Sequence, residues 1–313
     1  MQETRSNEHT TYDNNEINFL ELFNVLIKGK WIIVSMTAFA SIIGVLYSLN
    51  LPNIYESKAI LVPENMSSAA GSLSGYASLA GAVGINIPSP GKEGNYVKAL
   101  KKIKTLSFFE NNILPYIFLP DLMAVDTWNY ETNTMVYDEK LYSHKTNTWN
   151  RIASYPYQQN PSAQEAFEQF MSHFTLIQDS KNEFVEVKIK HQSPFIAKQW
   201  TELIIEKINT YYRDKDKAQS ERAVSYLNKQ IVMTSLSEVK QVIATLLQEE
   251  TQKLTLIEAK QYYVLEIVDP PAVMEKKSDP KRAIICIISA LLGGILSIFT
   301  VLIKQYGFKQ KIY

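Results

Sequence analysis

"DPKRAIICIISALLGGILSIFTVLIKQ", residues 279–305, decides how the rest of the chain is read. Between Arg282 and Lys304 no residue is charged over 21 positions, which as an α-helix is about 31 Å, close to the thickness of a bilayer's hydrocarbon core. That is the length of a membrane span, placed close to the C-terminal end of a 313-residue chain.

Working outward, a second apolar run, "WIIVSMTAFASIIGVLYSLNLPNIY" at residues 31–55, follows Lys28 and Lys30. It is longer than a signal-peptide h-region, and "YSLNLPN" does not resemble an A-x-A cleavage site, so it reads as an uncleaved span. Two spans put both termini on one side. Lys28 and Lys30 before the first, with Lys304, Lys309 and Lys311 after the second, make that side the cytoplasm. The cluster Lys276, Lys277, Lys281 and Arg282 argues the other way for the second span, but long loops translocate largely regardless of their charge. The expected organisation is a cytoplasmic segment at 1–30 with an interfacial helix, transmembrane helices at 31–51 and 283–303, an extracytoplasmic domain at 52–282 and a cytoplasmic tail at 304–313. Charges balance at 32 basic and 32 acidic, so no global field draws the chain to nucleic acid. Cys286 is the sole cysteine and excludes an intrachain disulfide.

The loose first dozen residues lead to "NEINFLELFNVLIKGKW" (15–31), apolar on most of its circumference, with Asn18, Glu21, Asn24 and Lys28 forming a narrow polar stripe. With that apolar circumference beside so narrow a stripe, it reads as a helix lying on the inner membrane surface, entered through an Asp13/Glu16 capping box. "NIYESKAILVP" (53–63) has strand composition. A glycine-rich stretch at 67–94 reads as a loop or mobile crossing. "NYVKALKKIKTLSFFENNIL" (95–114) reads as one amphipathic helix ending at Pro115, and the aromatic and polar section 121–161 as largely irregular. A short helix follows from Pro161. "FTLIQDSKNEFVEVKIKH" (174–191) is a hairpin that buries Val185, Val187 and Ile189.

From Ser193 the pattern turns helical. Ser193 is a natural N-cap with Pro194 at N1, and Ile196, Trp200, Leu203, Ile204 and Ile208 keep to one stripe. A helix from Pro194 to Met233 would be about 60 Å long, more than a compact domain needs. The phase slips at "TSLSE" (234–238), where Ser235 and Glu238 fit a capping box, and Leu236, Val239, Ile243 and Leu246 carry a second helix to about Lys260. "YYVLEIVDPP" (262–271) is a closing strand.

No reactive constellation accompanies this architecture. His9, His144, His173 and His191 are scattered, with no H-E-x-x-H and no paired cysteines, so neither a metal site nor a cofactor is expected. The glycine-rich stretch lacks both phosphate-loop patterns. Acidic pairs at Glu249/Glu250 and Asp214/Asp216 lie on helix faces, where solvation accounts for them. The tyrosines and tryptophans of 121–161 offer platforms on which sugars stack, though packing at the domain's base or at the membrane interface is the preferred reading. In the spans, Ala40, Gly44 and Ser48 recur every four residues, as do Ser289, Gly293 and Ser297, with Gly294 beside them. Small residues at that spacing let helices approach closely in lipid, so the spans are expected to pair with each other or with copies.

Several stretches resemble the Wzz family of chain-length determinants, or polysaccharide co-polymerases, of Gram-negative inner membranes: "EINFLELFNVLIKGKW", "LPNIYESKAILVPE", "SLAGAVGINI", "HQSPFIAKQWTELIIEKIN" and "VDPPAVMEKKSDPKRAI". The last, a proline-containing approach with Pro270, Pro271, Pro280, Lys281 and Arg282 entering an apolar span, is the most specific. Met274 stands where the family usually carries a further proline. The short C-terminal tail resembles the class without an appended kinase. The resemblance implies an α+β membrane protein: two transmembrane helices flanking a periplasmic domain that has an α/β base and a long extended helix. It also implies a homo-oligomeric ring that sets O-antigen modal chain length without catalysis, partnered by the O-antigen polymerase and by lipid-linked polysaccharide. Two rival readings are a periplasmic adaptor of an export system, for which there are too few strands, and a two-span sensor, for which no terminal segment is long enough.

Overall fold

The computed structural model describes residues 19–64, 95–179 and 183–307. Its elements are α1 (Phe19–Lys28), α2 (Lys30–Asn50), β1 (Tyr55–Pro63), α3 (Asn95–Ile103), α4 (Leu119–Met123), β2 (Val125–Asn129), β3 (Thr134–Tyr137), β4 (Tyr142–Ser143), β5 (Thr148–Trp149), α5 (Ala163–His173), β6 (Phe174–Gln178), β7 (Val185–His191), α6 (Pro194–Met233), α7 (Ser237–Ala259), β8 (Leu265–Asp269) and α8 (Arg282–Leu302). They form two units, residues 1–52 with 279–313, and residues 53–278. The expected capping box at Asp13 and Glu16, the stripe residue Asn18, the glycine-rich stretch to Gly94 and the tail lysines Lys309 and Lys311 lie outside the described residues.

In the first unit α2 and α8 are 21 residues each and are apolar around most of their circumference. Only 11% and 17% of their apolar windows are buried, so neither is the core helix of a globular domain; Phe39, Leu46, Leu291 and Phe299 face outward. Helices of this length and exposure suit a two-pass membrane protein. The chain turns from α1 into α2 at Gly29, where a Cβ would stand 2.5 Å from Val301 Cγ1. That corner therefore requires glycine.

The second unit is organised by an antiparallel sheet in the order β6-β7-β1-β8. Tyr55 pairs with His191 and Leu61 with Val185. Alternation sorts the faces: Ser57, Ala59 and Leu61 of β1, with Val185, Val187 and Ile189 of β7, are buried. The opposite face carries Glu186 bound to Lys188 at 2.6 Å and Glu56 paired with Lys190 at 3.8 Å. The N-terminal half of α6 covers the apolar face with Trp200, Ile204, Ile205, Ile208 and Tyr212. Ser193 caps it, accepting from Ile196 N, and the helix ends at Met233 as the sequence suggests.

A buried amide joins this helix to the sheet. Asn209 Oδ1 accepts from the backbone N–H groups of Tyr263, Val264 and Leu265 at 3.0, 2.8 and 3.1 Å. Its Nδ2 donates to the carbonyls of Ile205 and Leu265, both at 3.0 Å. Around it, Arg213 donates to the Lys260 and Gln261 carbonyls at 2.7 and 2.8 Å, and the Tyr263 hydroxyl donates to Asp216 at 2.7 Å. These bonds settle where the chain leaves α7 and enters β8.

Two expectations are corrected. The run 95–114 is not one helix: it breaks after Ile103, restarts at Leu106–Phe108 under a Thr105 cap, and continues as a π turn, Phe109–Ile113. The break lets the consecutive Phe108 and Phe109 both be buried. The start of α7 has Leu236 at the cap position and no side-chain cap, so Ser235 and Glu238 form no capping box.

The section 121–161 is largely irregular, as expected, and 150–161 has neither helix nor strand, but it also holds the end of α4 and two hairpins built alike. Each turn carries Thr-Asn-Thr, with Asn133 and Asn147 at φ 51° and 55°, a conformation asparagine tolerates. In each, an aromatic residue five positions upstream donates to the asparagine oxygen: Trp128 to Asn133 at 3.0 Å, and Tyr142 to Asn147. The flanking threonines bond each other at 2.7 Å in both.

His191 is buried, accepting from Ser193 N–H through Nδ1 at 3.0 Å and donating from Nε2 to the Asp121 carbonyl at 2.9 Å. Burial pushes its imidazole down to about 4. Burial also lowers His173, which donates from Nδ1 to the Lys190 carbonyl at 2.7 Å.

Replacing the buried amide tests this packing directly: Asn209→Ala strands three backbone donors in the core and lowers the stability of the detergent-solubilised protein by about 3 kcal/mol; an unchanged Tm refutes this. Because the folded values of both histidines lie below the unfolded one, their contribution is complete above about pH 6.5 and is lost as pH falls below it, for His191 toward about 4. His191→Gln should remove about 2 kcal/mol of the wild-type loss between about pH 6.5 and about pH 5, read from paired melting curves.

Candidate functional site

The residues singled out in the spans meet within one chain. α2 and α8 lie antiparallel, and their small residues form the contact line. A Cβ at Gly44 would collide with Ser289, 2.5 Å from its Cβ, and one at Gly293 would collide with Ala40 Cβ while standing 3.4 Å from Thr37 Cα. Gly44, Ser48, Gly293 and Ser297 are buried. The hydroxyls close onto their own helices, Ser48 to Val45, Ser289 to Ile285 and Ser297 to Gly294, at 2.9, 2.8 and 2.7 Å. No polar group is then presented to lipid by these serines. Gly294 stands apart: a Cβ there would lie 3.8 Å from Thr37 Oγ1, an ordinary contact.

Arg282 at the start of α8 donates from Nε to the Ser48 carbonyl at 3.1 Å and from a terminal nitrogen to the Leu51 carbonyl at 3.4 Å. These are carbonyls at the C-terminal end of α2, where a cation is favourable. Lys281 is the cap residue of α8 and is exposed, and Pro280 is half-buried behind a cis Asp279–Pro280 bond. In the second unit Pro271 is buried and Pro270 exposed. The segment after them is held to β1 by Ser57 Oγ donating to the Ala272 carbonyl at 2.9 Å, and to the residue preceding β1 by Ser278 N–H donating to the Ile54 carbonyl at 2.8 Å. The nine sequence-nominated residues thus fall into a helix-packing set and an approach segment, rather than one cluster.

Three residues here escaped the sequence reading. Gly29 is revealed only by the corner it makes against Val301. Ser57 gives no signal beyond a small polar residue on the buried face of a strand. Thr37, which lies against Gly293 and Gly294, is off the four-residue repeat of small residues. Among the described residues no group of three or more His, Cys, Asp or Glu could hold a metal ion.

Residues 15–101 match the family model Wzz, "Chain length determinant protein". Residues 227–306 match GNVR, "G-rich domain on putative tyrosine kinase". The first match takes in α1, α2 and β1; the second takes in the end of α6, α7, β8 and α8. No curated protein matches the chain. Among solved structures, a "full-length bacterial polysaccharide co-polymerase" is 14% identical, covering 95% of this chain and 100% of its own, at a TM-score of 0.41. A fragment of WzzB, a polysaccharide co-polymerase from Salmonella Typhimurium, is 14% identical over 72% of this chain and 100% of its own, at 0.28. A point mutant of the Shigella flexneri lipopolysaccharide O-antigen chain-length regulator WzzB is 13% identical over the same shares, 72% and 100%, at 0.20. At these TM-scores the likenesses add nothing to a fold that stands on the chain's own elements.

Packing along the span pair predicts a graded series. Gly44→Ala and Gly293→Ala overpack the contact line and cost about 1–3 kcal/mol each, whereas Gly294→Ala leaves stability unchanged. Thermal melting in one detergent compares all three; equal losses at the three positions would contradict this contact line.

Proposed function

We propose, for a chain that belongs to the Wzz family of chain length determinant proteins, that it sets the modal length of lipopolysaccharide O-antigen chains without making the glycosidic bond itself. The observation that carries this reading is the Wzz match over residues 15–101, which falls on the first span and the strand that follows it. The reading places the protein in a Gram-negative inner membrane with both termini cytoplasmic and residues 52–282 in the periplasm. Its partners are further copies of itself, the O-antigen polymerase and the lipid-linked polysaccharide being extended.

Apolar surface supports the self-association. Beyond Tyr212, α6 is largely unburied, and Val232, Met233 and Leu236 at its end, with Val239, Val242 and Leu246 on α7, are exposed. Side chains of this kind in a row favour cover by another protein surface. In the assembly proposed here, the small-residue line Ala40, Gly44 and Gly293 holds the two spans of each copy together. The approach segment Pro270, Pro271, Pro280, Lys281 and Arg282 fixes how the chain returns to the membrane.

The test is the lipopolysaccharide ladder of a strain lacking the gene beside that of the complemented strain. The reading requires a clustered length distribution to become a decaying one while total polymer persists. Loss of all polymer would favour an adaptor of an export system instead, and an unchanged ladder would refute the role.

A further inference from the structure

The second hairpin borders an open cleft of about 600 Å³, within the range of small-molecule sites. Its wall is aromatic on one side, where Trp149 rests against Tyr142 with ring centroids 5.2 Å apart. Side-chain amides of Asn147, Asn150, Gln159 and Asn160 supply the rest. None of the lining residues is charged. We infer that this cleft is a saccharide subsite, taking a short uncharged segment of a glycan with a sugar ring against Trp149.

The chemistry of the lining selects that class. A sugar offers an apolar C–H face and a rim of hydroxyls, each both donor and acceptor. An aromatic ring meets the first and an amide, donor and acceptor at once, meets the second. A phosphate or carboxylate would need a cation, and the lining has none.

The amides are also held in place. Asn147 accepts at Oδ1 from Tyr142, Asn150 donates through Nδ2 to the Glu139 carbonyl at 3.0 Å, and Gln159 donates through Nε2 to the Trp149 carbonyl at 2.5 Å. Each keeps its other polar atom for a ligand. Arg151 fixes the loop behind them, donating to the Gln158 carbonyl, to the Gln159 carbonyl at 2.8 Å, and to both oxygens of Glu165 at 2.6 and 3.0 Å. That fork holds the Glu165 carboxyl down to about 2, and the geometry is set before a ligand arrives.

The choice of O-polysaccharide as the ligand rests on the proposed function; the cleft and its chemistry do not. The test uses the full chain in detergent, titrated with O-polysaccharide released by mild acid from the host strain's lipopolysaccharide, with dextran of matched length beside it. Wild-type protein should bind saturably. Trp149→Ala, and the milder Asn160→Ala at an exposed position, should each weaken binding at least about fivefold with melting behaviour retained. No saturable binding by the wild type, or equal binding by a folded Trp149→Ala and Asn160→Ala, overturns the subsite. If the ladder of the deletion strain changes but the wild type does not bind, the subsite falls and the regulatory role stands. If binding is lost in the variants but the ladder never changes, the role falls and the subsite stands.

Discussion

The unit formed by residues 53–278 depends on one amide. An antiparallel sheet whose last strand arrives from a helix must satisfy the backbone groups of the strand's approach, and here three consecutive donors, Tyr263, Val264 and Leu265, would otherwise be buried without partners. Asn209 answers them with a single oxygen while its nitrogen returns to the Leu265 carbonyl at 3.0 Å. An apolar residue at that buried position would leave the strand entry unsatisfied. The position of β8, and through it the edge of the sheet beside β1, follows from a side chain on α6.

Where periodicity carries the signal, the sequence was a good guide. Val185, Val187 and Ile189 alternate and are buried, and a serine cap, a proline at N1 and a single apolar stripe placed α6 at Pro194–Met233. Charge-free length identified the two apolar helices, and the four-residue spacing of Ala40 with Gly44 and of Ser289 with Gly293 identified the line along which they touch. What periodicity does not encode was illegible. Asn209 reads as one more polar residue on a helix, because its three partners lie more than fifty positions away. The break after Ile103 depends on burying adjacent phenylalanines, which no helical wheel displays.

The hairpins of section 121–161 were hidden for a different reason. Its elements are short, and β4 and β5 have only two residues each, too few for alternation to register. The signal was instead a repeat: Thr132-Asn133-Thr134 and Thr146-Asn147-Thr148, each with an aromatic residue five positions before the asparagine. Asparagine between threonines is turn chemistry, with the left-handed conformation and the side-chain acceptor both supplied by one residue. Composition had marked the section as aromatic and polar; the repeat shows that those two properties are the structure of the hairpins.

The two units expose apolar surface for different physical reasons. On α2 and α8, Phe39, Leu46, Leu291 and Phe299 are solvated by lipid, and the driving force between the helices is close packing, so small residues line the contact and large ones face out. On α6 and α7 there is no lipid to do this in the proposed topology. Val232, Met233 and Leu236 are 83%, 77% and 62% exposed. Among the described residues, the far half of a helix about 60 Å long has only α7 to pack on within one chain, which buries Ser220 and Ile243 but leaves those side chains open. In a ring of identical copies this surface would meet a different face of the neighbouring chain, at the same height along the helix. Under the proposed function the long helix is then an element of assembly, and the chain's means of acting on a polymer lies in how many copies it joins and what they hold, rather than in a reactive group.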